Sequence, residues 1–402
     1  MKEYIELDEA RHLMGRLPVS LQAETVPLSE VLNRVLAEDF QAQIDIPPFD
    51  KSPFDGYACR AEDLPGRLRI IGTAAAGCDE PPPISCGEAI RIFTGAPIPA
   101  GADMVCRQED VRTEDGELFV PFSGASGRNV IWKGEDIQRG SRLVEKGTRL
   151  EPAHLGLLAS QGVDRVPVFC RPTAVLIPTG SELYEPGQAC SPYGIYNSSS
   201  FSLAAFMEKI GLHVHRTDII PDDAQAVCAA VRTALEGDAQ VVFTTGGASV
   251  GDYDFAAQIV GKLGANRLFR KLNMKPGGAL MVSTWQDKLL VNLSGNPAAA
   301  MMSLLVILRP WLERLCGMRA WEEELRLPVR SPMPKTSSAA RLLRGHLRIE
   351  DGRAWFEEHQ GRGNGNLNSF TGCDLIGIVP GGSGPLERGD MIRVLRLPSS
   401  IL

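Results

Sequence analysis

The residues best suited to chemistry in this chain are carboxylates set on glycine turns. The densest group lies in residues 241–254, VVFTTGGASVGDYD. An apolar β-branched run there breaks at Gly246 and Gly247, passes Ser249, and reaches Asp252 and Asp254. Paired glycines let backbone N–H groups approach an anion, and nearby carboxylates suit a hard cation such as Mg²⁺. The competing reading is a tight turn followed by an N-capping aspartate. The same choice recurs elsewhere. Glu135 and Asp136 follow Gly134 on a loop that solvated charge would also explain. Asp50, Lys51 and Asp55 sit in a loop stiffened by Pro47, Pro48 and Pro53, which either presents them for binding or marks a domain boundary. Glu182, Asp222 and the Asn296-Pro297 pair each follow a predicted strand, as Lys275 does. His213 and His215, two apart on a predicted strand, share one face, as a solvated surface or a metal pair would.

The elements that must position these groups follow from periodicity. Residues 174–177, 214–220, 241–243, 268–274, 280–284 and 288–293 read as strands, with helices predicted over 198–210, 222–236, 255–263 and 298–315. Asp222 and Asp223 fall in a helical first turn, where capping alone would account for them. Repeated β–α units predict a mostly parallel sheet in a three-layer domain, whose strand ends converge on one edge where ligands bind. Residues 67–144 alternate short β-like runs with glycine and proline, and Asp115-Gly116 signals a hairpin. Residues 8–17, 29–37 and 152–161 read as helices. Past residue 325 short strands and an Asp351-Gly352 hairpin predict a small β-barrel or sandwich.

Composition limits the possibilities. The chain has 402 residues and a formal net charge of −7, which argues against a general nucleic-acid binder. The charged start is no signal peptide, and the longest near-apolar run, residues 298–308, is too short to cross a bilayer. Nine scattered cysteines without a C-x-x-C pair read as reduced, cytosolic, buried structural thiols. A phosphate-binding G-x-x-x-x-G-K-[ST] loop is absent, which leaves an unrelated nucleotide hydrolase little support.

Nine motifs in order resemble the molybdopterin molybdenumtransferases, the family of bacterial MoeA and the gephyrin E domain. They are PFDGYA (53–58), TGAPIP (94–99), GEDI (134–137), TGSEL (179–183), IIPDD (219–223), TGGASVGDYDF (245–255), MKPG (274–277), GNP (295–297) and HQG (359–361). The resemblance spans nearly the whole chain. It implies a homodimer of four-domain chains that uses Mg²⁺ to insert molybdate into adenylylated molybdopterin and releases AMP. The implied units are a discontinuous helical and extended linker domain (1–45 and 138–171), a β-rich domain (46–137), a three-layer α/β domain of the molybdopterin-binding type (172–322) and a C-terminal β-barrel (323–402). The implied catalytic carboxylates are Asp55, Asp136, Glu182, Asp222 and Asp254, with Glu182, Asp222 and Asp254 holding metal. Substrate contacts would come from Thr179, Gly180, Gly246, Gly247, Ser249, Asp252, Lys271, Lys275, Pro276, Gly295, Asn296, Pro297, Arg341 and Ser369. Two cytoplasmic partners are implied, a molybdopterin adenylyltransferase and apo-molybdoenzymes, with the cleft formed between subunits.

The chain departs from the family pattern at three places. Gly278 and Ala279 stand where the family usually has Lys-Pro, Ser294 and Ala299 replace a proline and a serine around GNP, and Ser181 replaces an aspartate. Losing a lysine and a hydroxyl removes a charge and a donor from an anion site, each such bond contributing about 1.5–3 kcal/mol. The alternatives are therefore an active molybdate-inserting enzyme, a tungstate user, or a homologue that binds molybdopterin or an oxyanion without turnover.

Overall fold

Alternation along the central strands decides which layer each side chain joins. In Val241–Thr245, Val241 and Phe243 pack into one core and Val242 into another. Thr173–Pro178 divides the same way, as does Lys288–Leu293, where Leu289, Val291 and Leu293 oppose Leu290. Helices Leu7–Arg16, Ser198–Lys209, Pro297–Ser303 and Arg309–Leu315 build the first core. Ala224–Glu236 and Phe255–Leu263 build the second. A sheet between two helical layers results. The computed structural model describes residues 4–77, 79–247, 255–319, 324–359 and 367–397.

That sheet is mixed. His213–Arg216, Thr173–Pro178, Val241–Thr245 and Lys288–Leu293 run parallel in that order, and Met281–Trp285 and Asn266–Arg270 extend it antiparallel. The strand expected at 268–274 ends at Arg270, because Lys271 takes a left-handed φ of 59° and turns the chain. The helix expected to run unbroken to Leu315 contains a π turn at Leu304–Leu308, just before Pro310, which has no N–H to donate.

A second six-stranded sheet gathers Gly56–Cys59, Gly66–Ala74, Glu88–Ile92, Met104–Arg107, Arg112–Glu114 and Glu117–Val120. Asp115 and Gly116 both have positive φ, 48° and 83°, which matches the twist of a two-residue hairpin. Between these sheets, Ala23–Pro27 pairs with Arg165–Phe169 and Phe40–Gln41 with Arg142–Val144. The helix expected at 29–37 is not formed. Only Leu28–Glu30 makes a short 3₁₀ turn, and Asn33 at φ 63° breaks any continuation. Val35 and Leu36 are still buried, but they bridge Arg149 and Val168 rather than forming a helical stripe.

In the C-terminal region Met274–Lys275, Ala340–Glu350, Leu375–Val379, Met391–Arg396 and Glu324–Pro328 pair in that order. Arg353–Glu358 joins Ala340–Glu350, and Phe356 also bridges Val329. Among the described residues no helix is long and apolar enough to cross a membrane.

Candidate active site at the carboxyl edge of the parallel strands

Register brings three strand ends together. Pro178 pairs with Thr245, and Thr245 with Leu293. The Thr179 N–H and hydroxyl both donate to Thr245 O, at 3.0 and 2.8 Å. A Cβ on Gly246 would lie 2.7 Å from both Thr179 O and Thr179 Oγ1, and φ there is +93°, so only glycine fits. Gly295 approaches so closely that its Cβ would lie 3.5 Å from Gly246 Cα. The Gly246 N–H donates to Leu293 O at 3.2 Å, which makes Gly246 a shaper of the turn rather than a free anion donor. Gly247 O accepts from Ala256 N–H at 3.3 Å and ties the turn to the next helix.

Two carboxylates flank the turn beyond Thr179. Gly180 N–H donates to Ile220 O, which brings the residue 219–223 loop alongside. Ser181 N–H donates to Asp222 Oδ2 at 3.3 Å, and Asp222 N–H donates back to Ser181 Oγ at 3.1 Å. Asp223 alone is the helix cap, accepting from the Gln225 and Ala226 N–H groups. Capping therefore explains Asp223 but not Asp222. The exposed Glu182 folds its carboxylate over the same turn: a Cβ on Gly180 would lie 2.9 Å from Glu182 Oε2. These two adjoining loops thus offer carboxylate oxygens, the hard donor type that suits Mg²⁺. Ser249, Asp252 and Asp254 lie outside the described residues.

The basic residues Lys275 and Arg341 lie on the C-terminal sheet. Lys275 and Arg341 are direct partners on parallel strands. Lys275 is exposed, while the buried Arg341 Nη2 has no hydrogen-bond partner among the described residues. Lys271 does not join them at the surface; it is buried, with its ammonium 5.2 Å from the Tyr4 ring centroid. The buried Ser303 hydroxyl lies 3.0 Å from Gly277 O and 3.1 Å from Ala299 O, linking the turn after Pro276 to the helix that opens at Pro297. Asn296 caps that helix, accepting from Ala299 N–H at 3.0 Å. A Cβ on Gly278 would lie 2.7 Å from Leu272 O and 2.8 Å from Met274 O. A lysine is thus not merely missing at Gly278; the backbone has closed over the space. Ser369 lies in the short turn Leu367–Phe370.

Asp55 and Asp136 lie apart, on loops of the β-rich sheet. Thr94 donates its N–H and its hydroxyl to Asp55 Oδ1, each at 2.8 Å. Those two bonds, with Arg91 adding less, hold the Asp55 carboxyl below its ordinary range. Asp136 is exposed, and its N–H donates to Ile46 O at 3.0 Å. Lys51 bridges both Pro97 and Ile131, which gathers the three loops. Among the described residues, no hydrogen bond or ion pair joins Asp55 or Asp136 to the α/β edge.

Sequence reasoning passed over Thr94 and Ser303 as functional supports, although Thr94 opens one of the motifs. His213 and His215 are both exposed, with rings 4.6 Å apart. The uniformly buried cysteines expected are not found: Cys86 is exposed and donates to Asp63 Oδ1, because its turn faces solvent, while Cys170 and Cys190 are half-buried.

A doubly covered sheet with glycine turns and carboxylates at its carboxyl edge defines a ligand-binding α/β protein. Comparison with known proteins agrees. Residues 5–162 match the MoeA N-terminal region (domain I and II), and residues 175–314 match a probable molybdopterin binding domain. A molybdopterin molybdenumtransferase of Staphylococcus aureus is 31% identical, covering 97% of this chain and 95% of its own. One of Bacillus subtilis is 33% identical, with 97% and 94% covered. A solved MoeA protein from Pyrococcus horikoshii is 28% identical with a TM-score of 0.84, covering 98% of this chain and 99% of its own. The chain belongs to the molybdopterin molybdenumtransferase family.

Proposed function

We propose that this chain is a molybdenumtransferase of molybdenum cofactor biosynthesis, inserting molybdate into adenylylated molybdopterin with release of AMP. The observation that carries this reading is the meeting of the Glu182 turn with the loop bearing Asp222, held by the Ser181–Asp222 hydrogen bonds, together with Lys275 and Arg341 side by side on adjoining strands of the C-terminal sheet. Glu182 and Asp222, joined by Asp254, would hold Mg²⁺, which when bound neutralises charge on the phosphoryl oxygens. The Ser181 N–H orients Asp222 toward that role. Lys275 and the unpartnered Arg341 Nη2 suit a tetrahedral dianion, for which a guanidinium supplies directed donors and an ammonium a point charge. The reaction requires no covalent nucleophile, and no cysteine is assigned one.

Asp55 and Asp136 would complete the site from a second subunit. Exposed Phe49 and Trp132 belong to the loops that carry them and exposed Phe93 to the Thr94 loop, while exposed Ile195 and Tyr196 pair with Leu183 and Tyr184 just past Glu182. Exposed large apolar residues on both sets of loops suit an interface, here between two copies of this chain. The same reading divides the chain into domains at 1–45 with 138–171, 46–137, 172–322 and 323–402. In this reading the last would close as a barrel, which the Val329–Phe356 bridge supports. In the cytoplasm, an adenylyltransferase would supply the substrate and apo-molybdoenzymes would take the product.

The test is AMP release from adenylylated molybdopterin with Mg²⁺, using molybdate and tungstate in parallel, in the native chain and in Asp222→Asn. Release that depends on Asp222 supports the transferase. Tight substrate binding without release in either oxyanion would instead identify a binding module, as the closed space at Gly278 would permit.

A further inference from the structure

A second group of ligand-type side chains lies in the C-terminal sheet, on and beside the strand that also carries Arg341. His346 belongs to strand Ala340–Glu350 and is flanked from both sides. On one side Gly345 pairs with Glu358, and His359 N–H donates to Arg344 O at 2.8 Å, seating His359 next to His346. On the other side Gly345 pairs with Leu375, and Asp374 N–H donates to Gly345 O at 3.2 Å, bringing Cys373 alongside. His346 Nε2 and His359 Nδ1 are 2.9 Å apart. One ligand atom from each of His346, His359 and Cys373 lies within 4.8 Å of the other two. Among the described residues no other three His, Cys, Asp or Glu donors come so close.

The donor types select the ligand. Two imidazoles and a thiolate are a borderline-soft set, suited to Zn²⁺ and ill suited to Mg²⁺ or Ca²⁺. In a tetrahedral site with zinc–nitrogen and zinc–sulfur bonds of ordinary length, ligand atoms stand roughly 3.3–3.6 Å apart, so movements of about an ångström would gather these three. Cys373 is fully buried and the histidines are half-buried, which leaves one side for a fourth ligand such as water. Burial pushes the Cys373 thiol up to about 11, with Arg344 pulling the other way. Arg344 would repel a cation yet favours the thiolate that binds one, and metal binding would release the thiol proton.

We propose that His346, His359 and Cys373 form a structural site for a zinc-class divalent cation that clamps three adjacent strands of the C-terminal sheet. The clamp also steadies the turn carrying Ser369, since Cys373 N–H donates to Phe370 O at 3.2 Å. Metal binding here does not depend on the proposed reaction taking place, and its test does not use turnover.

The full chain, stripped with a chelator, is titrated with Co²⁺ and then chased with Zn²⁺. The expected result is one equivalent of Co²⁺ with a thiolate charge-transfer band and tetrahedral visible absorption, displaced by Zn²⁺, with a rise in Tm. Losing an orienting group outside the ligand set typically weakens a metal site about 10–100-fold, so His359→Gln and Cys373→Ser should each cost more than that. His346→Gln, checked for native circular dichroism, separates ligand loss from unfolding should Cys373→Ser fail to fold. His213→Ala with His215→Ala should leave binding unchanged. Co²⁺ binding without the thiolate band, unchanged affinity in His359→Gln, or loss only in the His213 and His215 variant would overturn the assignment. A chain that binds no stoichiometric metal would reduce the cluster to a hydrogen-bonded histidine pair beside a core thiol.

Discussion

Arg341 tests whether the strand pair it forms with Lys275 is built for an anion or for the fold. Its Nη2 is buried without a hydrogen-bond partner among the described residues. An unsatisfied buried polar group costs roughly 1–3 kcal/mol. Replacing Arg341 by Met keeps much of the aliphatic stem and removes that group. A structural arginine and a ligand-binding arginine then predict opposite outcomes. If Arg341 waits for an oxyanion, Arg341→Met should leave Tm unchanged or raise it. The same variant should lose a hydrogen bond to a charged group, about 1.5–3 kcal/mol, or about 10- to 150-fold in molybdate affinity. Arg341→Lys should recover only part of this, because an ammonium lacks the planar fork. The assays are differential scanning calorimetry with and without molybdate, and the molybdate dependence of AMP release. A variant that unfolds several degrees earlier while keeping its molybdate dependence would refute the reasoning and return Arg341 to the framework.

Further predictions concern the rest of the site. Ser181→Ala removes the acceptor for the Asp222 N–H, and should raise the Mg²⁺ requirement about 2- to 10-fold, the worth of one net hydrogen bond; an unchanged Mg²⁺ titration would detach Ser181 from the site. Restoring a side chain by Gly278→Lys forces Cβ toward the Leu272 and Met274 carbonyls and should destabilise by about 1–3 kcal/mol in a denaturant melt, whereas a more stable and faster enzyme would show the space open. Asp55 has its carboxyl held below the ordinary value of 3.8, so its contribution is present above that pH and lost as pH falls through the lower folded value. Asp55→Asn should accordingly flatten the acid limb of Tm against pH below about 4, and an identical limb would contradict the Thr94 contacts. Inactive Asp55→Asn and Asp222→Asn chains, refolded together, should regain about a quarter of native activity, since half the dimers are mixed and each mixed dimer has one intact site. No recovery would place both residues in one subunit's site.

What was legible in the sequence was local. The hairpins at Asp115-Gly116 and Asp351-Gly352 depend on residues that accept positive φ, and both form where the dipeptides stand. The strand Val241–Thr245 was visible through its apolar run at 241–243, because both its faces are buried. The helix expected at 29–37 failed because Val31, Val35 and Leu36 are also the apolar residues an extended segment buries, and only tertiary pairing with residues 148–149 and 168 decides between the two. The site divides along the same line. That Gly246 must be glycine follows from Thr179 lying beneath it, a neighbour 67 residues away that no spacing in the chain announces. Asp222 and Asp223 look equivalent in sequence, yet one caps a helix and the other faces Ser181 across the turn. The difference arises from the register that sets Thr179 beside Ile220. Residue type therefore names the chemistry a position can do, and strand register selects which of two equal candidates does it.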